Sequence, residues 1–190
     1  MHVLTQKWFK VSLLFFIGLL CIPHMVEGVN SGLPESNTTT EDNSIQMYSW
    51  IVGDEAGDIE GGVTTAGLEG SILVLGYHQQ ISSPIKGDNE FGPFRIVKRV
   101  DQASPLLMQA LCTRDMLQLT LRFYRPNAVS EVYEEYYRIE LHTARLIGID
   151  SHALPEGGFT ETLSIEYASI TWTWIDGGIE YTADTEPAPV

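Results

Sequence analysis

Between Leu117 and Tyr124 apolar and polar side chains alternate without a break: Leu117, Leu119, Leu121 and Phe123 lie on one face, Gln118, Thr120, Arg122 and Tyr124 on the other. Such period-2 alternation marks a strand with one buried face, whereas a helix would scatter those four apolar residues around its axis. Strands of similar character are predicted at Met47–Val52, Ile72–Tyr77 and Phe94–Val100, where Phe94 and Ile96 alternate with Arg95. A long strand follows from Tyr133 to Ile149, its phase slipping at Thr143 and Ala144 as a bulge would require. Phe159, Leu163, Ile165 and Tyr167 alternate with Thr160, Thr162, Ser164 and Glu166; Ile170, Trp172 and Trp174 then alternate with Thr171 and Thr173.

One short helix interrupts this pattern. Ser104 is a good N-cap and Pro105 suits the first helical position, while Leu106, Leu107, Ala110 and Leu111 form an apolar face at helical spacing. The expected fold is mainly β: a compact barrel of about seven or more strands with the helix packed on its side, closure removing exposed edges. Ile59 to Tyr77, IEGGVTTAGLEGSILVLGY, adds a glycine loop that feeds a strand. A phosphate-cradling loop runs into a helix and ends Gly-Lys-Ser/Thr, so Gly61, Gly62, Gly67 and Gly70 read as backbone-shaping residues.

IEGGVTTAGLEGSILVLGY resembles the opening signature of the Hcp family, the hemolysin-coregulated tube proteins of bacterial type VI secretion. Residues 92–126, GPFRIVKRVDQASPLLMQALCTRDMLQLTLRFYRP, resemble that family's basic strand, acidic turn, Ser-Pro-Leu-Leu helix start and following strand. FTETLSIEYASITWTWI at 159–175 is similar to its closing pair of strands, and the resemblance spans Met47 to Ile179. It implies an Hcp-like barrel without enzymatic activity or cofactor that forms homohexameric rings, stacked into a tube whose lumen carries effectors. Implied partners are the chain itself, type VI effectors, and sheath and spike proteins. By the same resemblance Gly61, Gly62, Gly67 and Gly70 lie near subunit contacts, and the loop Gln79–Pro93, with Gln79, Gln80, Ile81, Pro84 and Ile85, reaches a neighbouring ring.

Residues 1–28 read as a signal peptide: Lys7 and Lys10 precede the apolar run Val11–Cys21, then Pro23 and a small-residue site at Val26-Glu27-Gly28. That run is shorter than the roughly 20 residues a spanning helix needs, so no stable membrane insertion is expected after cleavage. The expected location is therefore secreted, or periplasmic if the exported chain is retained. Tube-forming family members normally lack such a leader, and Met47 stands where they usually begin. Residues 29–46 are expected to form a disordered linker, 47–179 the barrel, and 180–190 a flexible tail. A net charge of −14 argues against a nucleic-acid partner.

The chemistry-bearing residues form no recognisable site. His78, His142 and His152 have no ligand at zinc spacing, and Asp54, Glu55, Asp58 and Glu60 miss the EF-hand pattern. Cys112, at the end of the predicted helix, reads as a buried small apolar residue. Trp172 and Trp174 read as core or interface anchors. Two alternatives stay open: an exported monomeric binding barrel, and a secreted effector whose hydrolase activity would need Ser151 and His152 of Asp150-Ser151-His152.

Overall fold

A computed structural model describes residues 45–127, 129, 132–153, 155 and 157–185. The expected signal peptide, linker residues 29–44 and residues 186–190 lie outside that range. In chain order the elements are β1 (Gln46–Gly53), β2 (Gly57–Asp58), β3 (Ile72–His78), β4 (Ile81–Ser82), β5 (Glu90–Phe91), β6 (Phe94–Arg99), α1 (Ser104–Thr113), β7 (Leu117–Pro126), β8 (Tyr133–Ala153), β9 (Phe159–Trp174), a 3-10 turn (Ile175–Gly177) and β10 (Ile179–Asp184).

Six strands pair in the order β9-β6-β3-β1-β7-β8, and β8 closes the circuit on β9. All pairings are antiparallel, and the alternation expected from the sequence sets their inward faces. Ile72 and Val74, Phe94 and Ile96, Leu117, Leu119, Leu121 and Phe123, and Ile139 and Leu141 fill the barrel together with Leu163 and Ile165. Helix α1 rests Leu107 and Ala110 on this core, and its main packing partner is β8. The phase slip at Thr143 is a real irregularity: Thr143 has φ 50° and the β7–β8 register shifts between Leu117 and Leu119.

Four expectations are corrected. Residues 159–175 are not a pair of strands; β9 runs unbroken to Trp174 because β8 accompanies it along its whole length. Its first half lies between β8 and β6, its second half between β8 and β10. Residues 180–184, the first part of the expected tail, belong to β10, held by in-register pairs from Ile179–Trp174 to Asp184–Ser169. Ser104 does not cap the helix. The N-cap is Ala103, and the Ser104 hydroxyl is diverted to Glu161 Oε1 at 2.8 Å while accepting Asp101 N–H at 3.1 Å. Finally, Cys112 is exposed, because the helix turns Leu107 and Ala110 toward the core and Cys112 away from it.

Candidate assembly surfaces

The glycine loop is a tight, self-bonded structure at the end of the barrel where β1 finishes and β3 begins. Gly61 N–H donates to Gly70 O at 2.7 Å, and Gly70 N–H donates to Val63 O at 3.0 Å, bringing the two limbs side by side. Gly61 is buried against the next strand: a Cβ there would meet Ser71 O and fall 2.7 Å from Ile72 Cα. Gly67 and Gly70 have φ of 81° and 72°, a region that costs side-chain-bearing residues strain. Gly62 and Gly67 are exposed, Gly70 half-buried, so the four glycines divide between shaping the loop and lining its surface.

Beneath the loop lies a buried ionic cluster that the sequence reading missed. Lys98 is fully buried, yet its Nζ donates to Glu161 Oε1 at 2.7 Å, Ser104 Oγ at 3.0 Å and Arg99 O at 2.9 Å, and pairs with Asp101 Oδ1 at 2.8 Å. Asp101 also accepts Ala103 N–H at 3.1 Å and Gly62 N–H at 3.3 Å, and Gln102 Nε2 donates to Gly61 O at 2.6 Å. One cluster therefore joins β6, β9, the start of α1 and the glycine loop. Its signal was present in the sequence: Lys98 keeps the inward phase of Phe94 and Ile96, and Glu161 that of Leu163 and Ile165.

A second polar anchor sits at the neighbouring turn. Asp115, buried, accepts Glu55 N–H at 3.0 Å and Ala56 N–H at 2.9 Å, which orders the turn between β1 and β2. The acidic residues of that region, Asp54, Glu55, Asp58 and Glu60, are all exposed, and no metal-binding group of His, Cys, Asp or Glu forms among the described residues.

The loop Gln79–Pro93 projects from the opposite end of the barrel, built on the small hairpin β4–β5. Its base is fastened: Trp172 Nε1 donates to Gln79 Oε1 at 3.2 Å, Gly92 N–H to Gln80 O at 2.9 Å, and the Tyr167 hydroxyl to Gly92 O at 3.4 Å. Burial pushes the Tyr167 phenol above its ordinary pKa, against a smaller opposing effect of Gln79. At the tip Pro84 and Ile85 are exposed, Ile85 completely, and Ile81 is 44% exposed. The structure thus separates the expected contact residues: Gln79 is part of the anchor, whereas Ile81, Pro84 and Ile85 face outward.

Aromatic residues crowd this same end. Trp172 stacks on Tyr181 at 6.0 Å and packs against the core, while Trp174 meets Tyr136 edge-on at 5.7 Å under the Arg125 guanidinium. Burial raises the Tyr136 pKa despite the nearby positive charge of Arg125. Asp150, Ser151 and His152 are consecutive residues of β8, so Ser151 is directed to the face opposite its neighbours and no triad assembles.

Comparison with known proteins places this architecture. A family model described as "Type VI secretion system effector, Hcp" matches residues 36–174. The chain is 29% identical over 163 residues to the "Major exported protein" of Pseudomonas aeruginosa, covering 78% of this chain and 85% of that one. It is 26% identical over 132 residues to the uncharacterized protein YhhZ of Escherichia coli K12, covering 65% of this chain but spanning only 33% of that relative's length. Among solved structures, the Hcp1 protein of E. coli EAEC 042 superposes with a TM-score of 0.70 at 26% identity, covering 74% of this chain and 99% of that one. The secreted protein Hcp3 of P. aeruginosa gives 0.66 at 26% identity, covering 76% and 100%.

Proposed function

Because the chain belongs to the Hcp family of type VI secretion proteins, we propose that it is a structural, self-assembling tube component whose hexameric rings stack into an exported tube with a lumen that carries effectors. The observation that supports this most is a closed six-stranded barrel that leaves large apolar residues on its outer wall and loop tips. Leu73 and Leu75 on β3 are each more than 40% exposed, and Ile85 stands free at the tip of its loop. The adjacent exposed pair Leu73 and Leu75 offers an apolar contact surface that an identical neighbour would cover.

In this reading the wall of the barrel makes contacts within a ring, and the two end loops make contacts between rings. Gly62 and Gly67 present the glycine loop, which Gly61 and Gly70 shape, and Ile81, Pro84 and Ile85 form the opposing prong that Gln79 and Gln80 support. Stacking brings the two ends of the barrel together, so each loop meets the next ring. The role is mechanical and needs no catalytic group, cofactor or metal. Sheath, spike and effector proteins are the partners such a tube requires.

The leader-like residues 1–28 favour a second reading, in which the chain is cleaved, exported and acts as a single barrel outside the cytoplasm. Size-exclusion chromatography with mass measurement, at high micromolar concentration, separates the two. Ring-sized particles with a central hole by negative-stain microscopy support the tube; a single-copy mass supports the exported barrel. N-terminal sequencing of the native protein checks the leader: a start near Val29 means cleavage, a start near Met47 the ordinary cytoplasmic route.

A further inference from the structure

The charge of the barrel wall is divided between two sides. β6, β3, β1 and β7, four consecutive strands of the barrel, contain no Asp or Glu, although the chain has 25 of these residues against 11 Lys and Arg. The carboxylates of the barrel strands all belong to β8 and β9. Arg122, Arg125, Arg138 and Arg145 each meet a carboxylate within 4.0 Å, whereas the exposed Arg95 and Arg99 on β6 meet none among the described residues. Between these two arginines lies Val97, and alongside is the exposed pair Leu73 and Leu75 of β3. Leu75 is the extra residue at the register shift between Val74 and Gly76, so it protrudes from the wall.

The β8–β9 flank carries the complementary features. Ile147, 42% exposed, is likewise the extra residue at a register shift, between Leu146 and Gly148. Asp150 is exposed three residues further along β8 and forms no ion pair with a basic group among the described residues, and Glu166 lies opposite Arg145 on β9.

We propose that the β3–β6 flank of one copy docks on the β8–β9 flank of the next, with Arg95 and Arg99 meeting the Asp150 side and the two apolar bulges covering one another. The proposal rests on the ring reading above and specifies its lateral contact. Geometry and charge agree on the choice of flank. Strands of a closed six-stranded barrel are spaced by about 60° around its axis, which puts the β8–β9 flank about 120° from the β3–β6 flank. Copies joined head to tail through faces at that angle, barrel axes parallel, close after about six. The other flank at the same angle, β1–β7, has no carboxylate to receive the arginines. In a chain of net charge −14, two arginines without a carboxylate partner among the described residues, beside exposed leucines, would also let copies approach despite their mutual repulsion.

The test is a charge exchange in the purified full-length protein. Arg95→Glu with Arg99→Glu places acid against acid at every contact, and Asp150→Arg places base against base. Each variant alone is expected to raise the concentration for half-assembly at least about tenfold. An equimolar mixture restores assembly, because alternating copies then present opposite charges at both kinds of contact. Circular dichroism confirms that each variant keeps its fold. Should a charge variant fail to fold, Val97→Cys with Ile147→Cys in a Cys21→Ser, Cys112→Ser background is expected to give an intermolecular disulfide ladder on oxidation. Wild-type rings that survive both charge variants, a mixture that stays dissociated, or wild-type rings without a ladder overturn this interface while leaving the ring reading intact. A wild-type protein that stays single-copy overturns the ring reading itself.

Discussion

Replacing Glu161 by Leu removes the nearest carboxylate from a lysine that has no access to water. Lys98 Nζ lies 2.7 Å from Glu161 and 2.8 Å from Asp101; the Lys98 side chain is 0% exposed, that of Glu161 4% and that of Asp101 22%. Breaking a buried pair from one side costs about 3–5 kcal/mol, mostly the desolvated charge left behind. Asp101 remains to share the ammonium, so the lower end applies and we expect about 3 kcal/mol. In a domain of this size that lowers the melting temperature by about 6–12 °C. Removing both charges, Lys98→Met with Glu161→Leu, leaves two apolar side chains facing one another across the β6–β9 pair, and at least half the loss should return. Thermal and urea unfolding followed by circular dichroism, at one fixed protein concentration because assembly adds its own stability, gives both numbers. A loss below about 1 kcal/mol for Glu161→Leu, or a double variant no more stable than the single one, would refute the buried-pair account.

Other outcomes follow from single positions. Gly61→Ala should lower stability by about 2–3 kcal/mol, since its Cβ meets the Ser71–Ile72 backbone, whereas Gly62→Ala, nearest to Asp101 Cβ at 3.8 Å, should change it by less than about 0.5 kcal/mol; equal effects in denaturant melts would contradict the loop geometry. Asp115→Ala leaves the Glu55 and Ala56 N–H groups without their acceptor and should cost about 2–3 kcal/mol by the same melts. Burial raises the phenol pKa of Tyr48, Tyr137 and Tyr167 above the ordinary 10.0. The folded state therefore holds these protons more tightly than the unfolded state, so stability is full below about pH 10 and falls as pH rises through the folded values; phenolate absorbance that rises fully at the ordinary value, without unfolding, would contradict this. Cys112 should react with a thiol reagent in the native protein at a rate close to that of the unfolded chain.

The parts of the fold that alternation controls were legible without coordinates. β7 falls where Leu117 to Phe123 put it, and even the irregularity at Thr143 shows as a lost phase. What alternation could not convey is which strands pair, so the continuity of β9 and the attachment of β10 beyond the barrel remained hidden. β10 follows a Gly-Gly turn and contains two acidic residues, and its place depends on Trp172 and Tyr181 meeting across strands. Lys98 and Glu161 show a different limit. Both kept an inward phase, but a charged side chain in a strand is usually solvated, and only their mutual pairing makes burial tolerable. Cys112 was misplaced because an apolar helical stripe fixes a direction only once the helix has a surface to rest on. The glycine loop was correctly read as a shaped entry to β3; that Gly61 is locked against Ser71 while Gly67 is open could come only from the packed structure.

Native mass spectrometry of the purified protein decides whether this barrel closes into a ring with copies of itself. Ring formation gives a dominant species of about six copies, persisting at physiological salt and dissociating when Arg95 and Arg99 are reversed in charge. A single-copy mass across the micromolar range, with circular dichroism showing a folded β protein, would contradict it.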